Sequence, residues 1–367
     1  MGFSENTCLL LAFLIYLFAF TLLISGLDTV ALSVLIQEPE TVSSNNGMFT
    51  PAFFRPQNST SCYLEIGFMS ESFVVWVANK NDPLTDSSGI LTISGNHNLL
   101  VLNGQEQVVW STNVSTASNS SAQLLDSGNL VLMDRTTAAV LWQSFQHPSN
   151  ALLEGMKLDP NKKTGQKMQL ASWKSTYDPS YGGFSFSLEP RNVTEIVVWK
   201  ENHPCWQSGP WDGIAFIGIS WMTQSIFKSG VQIKEEGEIY NISYDHINKS
   251  ILMTIILDSQ GIVKPMIWNS RANIWETRRK GFHSTCNVYG ICGPYGICNK
   301  QGSLICGCLE GFEPKNKEEW ARQKWTSGCI RRETLQCGRD KKGSQASKTD
   351  GWSSYVPKEL LLHGLCL

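Results

Sequence analysis

The sequence predicts a mainly β protein built from consecutive parts, and three observations carry this prediction. Short apolar runs alternate with clusters of Gly, Asn, Asp and Ser, which is typical of strands joined by tight turns. Two apolar residues followed by tryptophan recur at Trp76, Trp110 and Trp142. A repeat of about thirty residues without helical periodicity is typical of stacked or radially arranged sheets. Seven of the eleven cysteines lie between Cys286 and Cys337, a density typical of a disulfide scaffold.

Residues 1–26 predict a signal peptide. The run from Leu9 to Ile24 is apolar throughout and is followed by Ser25 and Gly26, small residues that suit cleavage. No Lys or Arg precedes the run, so an uncleaved membrane anchor and a buried core helix stay as alternatives. We therefore expect a secreted or cell-surface protein, which contacts a membrane only if this segment is an uncleaved anchor.

Two further features agree with an extracellular protein. With Cys8 in the predicted signal peptide, ten cysteines remain, and an even number is expected of a fully paired, oxidised chain. Six Asn-x-Ser/Thr sequons predict N-glycosylation on exposed segments. Their asparagines are Asn58, Asn113, Asn119, Asn192, Asn241 and Asn248.

The first β region, residues 27–150, contains the tryptophan repeat. A strand is predicted over Phe73–Val77, and Asn103-Gly104 between Leu99–Leu102 and Val108–Trp110 predicts a hairpin, because both turn residues tolerate positive φ. One repeat cannot bury its tryptophan alone, so we expect the three indoles to share a core rather than to stack on a ligand.

The second β region, residues 151–280, has the same texture with weaker repetition. Its predicted strands surround Trp173, Phe184–Phe186, Ile196–Trp199, Ile251–Leu257 and Met266–Trp268. Its predicted turns are Asp178-Pro179, Gly182-Gly183 and Ser208-Gly209-Pro210.

The third region, residues 281–337, is expected to be held by disulfides. Six cysteines allow fifteen pairings, and the sequence does not choose among them. Zinc is the competing interpretation, but Cys306-Gly307-Cys308 is too tight for a zinc knuckle, so no metal is expected. The six cysteines are Cys286, Cys292, Cys298, Cys306, Cys308 and Cys329.

Charge and motifs exclude several classes of function. Charged residues make up 17% and the formal net charge is −2, which disfavours nucleic acid as a partner because phosphate binding needs clustered Lys and Arg. No kinase signature occurs, and neither Gly-x-Ser-x-Gly nor His-Glu-x-x-His is present. We therefore expect no enzyme activity, no catalytic residue and no cofactor.

Several segments resemble one plant family. Residues 74–80 (Val-Val-Trp-Val-Ala-Asn-Lys) and 123–132 (Gln-Leu-Leu-Asp-Ser-Gly-Asn-Leu-Val-Leu) resemble the bulb-type lectin domain of S-domain receptor kinases. Residues 208–213 (Ser-Gly-Pro-Trp-Asp-Gly) resemble the S-locus glycoprotein domain that follows it. The segments starting at Cys286 and Cys308 resemble the family's EGF-like module.

The resemblance implies two β-prism domains of the bulb-lectin type, over 27–150 and 151–280. An EGF-like module over 281–337 and a truncated PAN/apple segment over 338–367 would follow. It also implies extracellular recognition, of pollen or of other cell-surface signals. The partner would be a protein or peptide ligand, or the ectodomain of a receptor kinase.

Carbohydrate is the alternative ligand class. Mannose-binding members of the bulb-lectin class carry Gln-x-Asp-x-Asn-x-Val-x-Tyr, in which polar side chains bond sugar hydroxyls and Val packs on the carbon face. The equivalent segments here lack the acid and the tyrosine. The candidate sugar contacts are Asn96, Asn98, Asn129 and Val131, and the competing interpretation makes Asn98 and Asn129 turn residues entering strands. A non-functional truncated receptor product is a further alternative, suggested by the eroded segment Phe49–Pro56 and the abrupt end.

Overall fold

A computed structural model describes the protein over most of the chain between residues 29 and 333. The described ranges are 29–30, 36–37, 43–57, 59–69, 73–85, 88–115, 119–158, 168–190, 194–219, 231–236, 239–244, 252–277, 285–299 and 304–333. The predicted signal peptide and the predicted PAN/apple segment lie outside them. Within these ranges no helix is long and apolar enough to cross a membrane.

The prediction of a mainly β fold is confirmed. The described residues contain two 3-10 turns, Ser144–Gln146 and Thr285–Asn287, and one short α-helix, Lys317–Ala321. In chain order the strands are β1 Thr29–Val30, β2 Ile36–Gln37, β3 Phe49–Phe54, β4 Tyr63–Phe68, β5 Val74–Val77, β6 Ile90–Ile93, β7 Leu99–Leu102, β8 Val108–Ser111, β9 Ser120–Leu124, β10 Leu130–Asp134, β11 Val140–Gln143, β12 Ala151–Leu152, β13 Leu170–Ser175, β14 Asp178–Pro190, β15 Thr194–Lys200, β16 His203–Gln207, β17 Val231–Glu236, β18 Ile239–Tyr244, β19 Met253–Leu257, β20 Val263–Asn269, β21 Ile274–Thr277, β22 Gly296–Cys298, β23 Cys306–Cys308, β24 Phe312–Pro314 and β25 Cys329–Arg331.

The chain divides into two compact units, and each unit is built from three segments that are separated in the sequence. Among the described residues, the first unit comprises those within 29–156, 170–183 and 253–276, and the second comprises those within 157–169, 184–252 and 277–333. The first contains the sheets β3-β4-β5, β2-β6-β7-β8, β1-β9-β10-β11 and β12-β19-β20-β21. The predicted hairpin around Asn103-Gly104 is confirmed, because β7 and β8 pair antiparallel.

Three tryptophans meet in the core of the first unit. Trp76 lies on β5, Trp110 on β8 and Trp142 on β11, each on the last strand of its sheet. Their rings touch edge to face, with centroid separations of 5.8, 6.0 and 5.5 Å. A register shift also occurs in each of the three strand pairs that carry them. The expected shared tryptophan core is therefore confirmed, and the repeat in the sequence is a repeat in the structure.

A tight turn also recurs, with one residue in the left-handed region. Gly47, His97, Glu106, Gly128 and Gly261 occupy this position with φ of 68°, 64°, 59°, 83° and 78°. Each backbone N–H donates to the carbonyl three residues earlier, at 2.8 to 3.0 Å. Glycine adopts this conformation without steric cost, so His97 and Glu106 depart from the pattern.

The predicted turn at Gly182-Gly183 is wrong. Both glycines lie inside β14, and the chain reverses at residues 176–177 instead. Asp178 and Pro179 begin the strand rather than form the turn. A Cβ on Gly182 would lie 2.3 Å from Trp173 O, so glycine here permits close approach of the neighbouring backbone, which is the other common reason for glycine in a strand.

The second unit holds the remainder of β14 with β15 and β16, the pair β17-β18 and the cysteine-rich module. Three disulfides join Cys286 to Cys298, Cys292 to Cys306 and Cys308 to Cys329. Trp325 packs with the second of these bridges in a small core. The structure thus selects one of the fifteen pairings that the sequence left open.

The expectation that all cysteines are paired is wrong for Cys205. Its sulfur is a thiol that donates to Val198 O at 3.3 Å. Burial raises the pKa of this thiol, which lowers the fraction of reactive thiolate.

Candidate functional site

The side chain of Asn98 is buried at the start of β7 and is engaged inside the protein. Its Oδ1 accepts hydrogen bonds from Thr112 Oγ1 at 2.9 Å and from Val114 N at 2.6 Å. Its Nδ2 donates to Val114 O at 3.0 Å. These bonds tie the chain that leaves β8 to the beginning of β7, and they occupy the groups that a sugar hydroxyl would need.

Asn129 repeats this arrangement at the start of β10. Its Oδ1 accepts from Ser144 Oγ at 3.2 Å and from Phe145 N at 3.1 Å, and its Nδ2 donates to Gln143 Oε1 at 2.8 Å. Each asparagine therefore fixes the residues that follow the tryptophan strand of its own sheet. This geometry favours the interpretation of both residues as turn residues entering strands over a direct sugar contact.

The other two candidate sugar contacts lie in contrasting surroundings. Asn96 is exposed in the turn before β7, where its Oδ1 accepts from Ser94 Oγ. Val131 is buried in β10, so its side chain has no exposed face for a sugar ring. The structure does not bring the four candidates together on one accessible surface strand, since Asn96 and Asn98 precede β7 while Asn129 and Val131 belong to the β10 region.

A third asparagine with the same kind of role was missed in the sequence. Asn79 is buried, and its Oδ1 accepts from Leu64 N at 2.8 Å while its Nδ2 donates to Asp82 O at 3.0 Å. Asn79 lies three residues after Trp76 in the chain, and this closeness to a repeated tryptophan was the feature of the sequence that could have indicated its role. Buried carboxamides beside tryptophan strands are thus a recurring structural device in the first unit.

Two of the six predicted glycosylation sites have described side-chain surroundings. Asn113 and Asn119 are both exposed in the connection between β8 and β9. Asn113 has φ of 52° and lies between the two residues that Asn98 holds. Asn241 falls within β18, whereas Asn58, Asn192 and Asn248 lie outside the described residues.

The described part of the chain contains no cluster of side chains that could bind a metal ion. No group of three His, Cys, Asp or Glu side chains is placed there to hold an ion. The six cysteines proposed for the disulfide module all form bridges, so their sulfurs are not available as thiolate ligands.

Comparisons with known proteins agree on two regions. A D-mannose binding lectin family matches residues 73–174, and an S-locus glycoprotein domain family matches residues 206–316. An S-locus-specific glycoprotein of Brassica oleracea is 36% identical over 345 residues, which cover 90% of this chain and 78% of that protein.

Receptor kinases are similar over only part of their length. A G-type lectin S-receptor-like serine/threonine-protein kinase of Arabidopsis thaliana is 39% identical over 355 residues, covering 94% of this chain and 42% of the kinase. Among solved structures, a monomeric mannose-binding lectin of Gastrodia elata is 18% identical with a TM-score of 0.26, covering 32% of this chain and 96% of the lectin.

Proposed function

Because this chain belongs to the S-locus glycoprotein family, we propose that it is a secreted, glycosylated recognition protein without catalytic activity. The observation that carries the proposal is the similarity over 78% of an S-locus-specific glycoprotein. The similarity to the Arabidopsis thaliana receptor kinase spans 42% of that kinase, and no kinase signature occurs in the sequence of this chain. The domain order 27–150, 151–280, 281–337 and 338–367 is part of this proposal.

The ligand class that we propose is a protein or peptide, including the ectodomain of a related receptor kinase. Four large apolar side chains of the cysteine-rich module are exposed: Val288, Tyr289, Leu304 and Ile330. Exposed aromatic and aliphatic side chains supply the anchors of protein interfaces. Engagement of the Asn98 and Asn129 carboxamides within the protein further supports a protein ligand over mannose.

Secretory expression of residues 1–367 tests compartment and modification together. We expect soluble protein in the medium whose mass falls on endoglycosidase digestion. Protein found only as cellular aggregates would contradict the proposal and favour the alternative of a non-functional receptor product. Secreted protein whose mass does not change would contradict glycosylation alone.

Sedimentation with a receptor-kinase ectodomain of the same family tests the partner. We expect a complex that Leu304→Asp and Ile330→Asp each weaken by about tenfold, because a charge placed in an apolar interface costs on the order of 1.4 kcal/mol or more. Ile214→Asp is the matched control, since Ile214 is 63% exposed and Leu304 is 61% exposed, but Ile214 lies outside the module. Equal weakening by all three variants would contradict binding through the cysteine-rich module, and no complex with the unmodified protein would contradict this partner.

Carbohydrate binding is the second candidate because residues 73–174 match a D-mannose binding lectin family. A glycan array with the secreted protein tests it. Mannoside binding that is lost in Asn129→Ala, in a variant that stays folded, would favour the lectin over the protein-recognition role. A blank array for mannosides would remove this candidate.

A further inference from the structure

Two basic side chains lie together in the first unit without an acidic partner. Lys80 follows β5, and its Nζ donates to Pro148 O at 3.2 Å. An ammonium has three donors, and within the described residues this is the only hydrogen bond of the Lys80 side chain. No carboxylate in the described part of the chain forms an ion pair with this half-buried ammonium, although cations removed from water are ordinarily paired.

His147, the residue before that carbonyl, is the second basic group. Its imidazole is exposed on one side and stacks on Trp142 on the other, with centroids 5.4 Å apart and planes inclined by 10°. Its backbone O accepts from Trp76 Nε1 at 2.9 Å. The tryptophan core thus fixes the position of His147, while its ring nitrogens hold no hydrogen-bond partner among the described residues.

The electrostatics of these two groups favour a bound anion. Burial lowers the pKa of Lys80 to about 8. Burial, and then the charge of Lys80, lower the pKa of His147. The protein therefore disfavours both positive charges, and an anion placed between the groups would stabilise both and raise both pKa values.

An exposed aromatic ring completes this place on the surface. The Tyr181 ring lies 4.4 Å from Lys80 Nζ, and Tyr181 is 56% exposed. Its backbone N donates to Asn81 Oδ1 at 3.2 Å, which holds the tyrosine beside the residue that follows Lys80. A ring that is fixed at its backbone and open to solvent offers an apolar face next to the Lys80 ammonium.

From this juxtaposition we propose that Lys80, His147 and Tyr181 bind an acidic sugar, that is, a pyranose that carries a carboxylate. The carboxylate lies between the ammonium and the imidazole, where it accepts charge-assisted hydrogen bonds. The C–H face of the sugar ring packs on Tyr181, because small-ligand sites combine an apolar wall with a few placed polar groups. This acidic-sugar site differs in position and chemistry from the Asn98 and Asn129 segments.

The pair D-galacturonate and D-galactose tests the proposal, since these probes differ in the carboxylate. We expect the purified protein to bind galacturonate in a calorimetric titration at pH 5.5, and to bind galactose at least about tenfold more weakly, as the loss of a charge-assisted contact implies. Binding of galacturonate is expected to weaken as the pH rises, because a bound carboxylate favours the protonated imidazole of His147 and that form becomes rarer at higher pH.

Variants locate the binding. His147→Gln and Tyr181→Ala change exposed side chains, and each is expected to weaken galacturonate binding by about tenfold. Lys80→Gln keeps a donor for Pro148 O and removes the charge, with the same expected effect. Lys174→Gln is the control, since this lysine is exposed and weakly paired with Asp178 at 3.8 Å. The affinity of this variant for galacturonate is expected to stay unchanged.

Several outcomes would overturn the proposal. These are undetectable galacturonate binding by the folded protein, equal binding of galactose, and equal weakening by Lys174→Gln, which would indicate unspecific charge attraction. An acidic dipeptide that binds as tightly as galacturonate would show that the site recognises carboxylates of peptides instead. None of these results bears on complex formation through the cysteine-rich module, so the two proposals fail independently.

Discussion

Asn98 and Val114 are joined by two reciprocal hydrogen bonds. Val114 N donates to Asn98 Oδ1 at 2.6 Å, and Asn98 Nδ2 donates to Val114 O at 3.0 Å. Asn98→Ala removes both bonds and also leaves Thr112 Oγ1 without this acceptor. We expect the free energy of unfolding to fall by about 2–3 kcal/mol, since each buried group left unsatisfied costs about 1–3 kcal/mol.

Urea denaturation measures this loss. Asn96→Ala is the control, because Asn96 is exposed in the same turn and exposed substitutions change stability by about 0.5 kcal/mol or less. Unchanged stability of Asn98→Ala together with lost mannoside binding would assign Asn98 to a sugar site instead.

His97→Gly is expected to stabilise the first unit. His97 has φ of 64° at a turn position that glycine occupies in three of the four equivalent turns, and a left-handed conformation costs a non-glycine residue about 1–2 kcal/mol. Glycine removes this backbone cost, but part of the gain in unfolding free energy is offset because glycine has greater conformational freedom in the unfolded chain. We expect a rise in the melting temperature in thermal denaturation; a fall would show that contacts of the imidazole outweigh the backbone cost.

Gly128→Ala is expected to have the opposite effect in the equivalent turn. Gly128 has φ of 83°, and a Cβ there would lie 2.6 Å from Phe49 Cε1. Backbone cost and overpacking of the ring together predict a loss of about 2–4 kcal/mol in unfolding free energy. Gly47→Ala separates the two causes, because a Cβ on Gly47 meets no atom within 4 Å. Equal losses at Gly47 and Gly128 would contradict a contribution from Phe49.

Stability is expected to depend on pH through His147. Burial and the charge of Lys80 hold the pKa of His147 below its ordinary value of 6.5, so the unfolded chain binds a proton more readily than the folded one. The contribution of His147 to the free energy of unfolding is therefore complete above pH 6.5. It is lost as the pH falls from 6.5 towards the folded-state pKa of this histidine.

Melting temperatures between pH 7.5 and 5 measure this dependence. We expect His147→Gln to flatten the pH profile relative to the unmodified protein, measured in a buffer without carboxylates. His203→Gln, a change at an exposed histidine of the second unit, serves as the comparison. The same slope in the unmodified protein and His147→Gln would contradict the assignment.

The core of the first unit could be predicted because its signal is local and repeated. A tryptophan after two apolar residues recurs at nearly constant spacing, and an indole of this size needs several sheets to bury it. The error at Gly182-Gly183 has a physical origin too. Glycine serves both turns and close backbone approach, and only the position of Trp173 O in space distinguishes the two.

The contacts of the candidate sites could not be predicted because their partners are distant in the chain. Asn98 meets Val114 sixteen residues later, and Lys80 meets Pro148 sixty-eight residues later. Asn-Leu at the start of a strand fits both a sugar contact and a structural bond, so the pattern around Asn98 left both interpretations open. Cysteine pairing was open for the same reason, since any of fifteen pairings fits the spacing.

The meeting of Trp76, Trp110 and Trp142 limits how this part of the protein can evolve. Each sheet supplies one indole to a single cluster, so loss of a copy would leave a hole and gain of a copy would leave a ring without a place. Deletion or duplication of one repeat is therefore expected to destabilise the core of the first unit. The geometry of the tryptophan cluster thus sets the number of repeats in this unit at three.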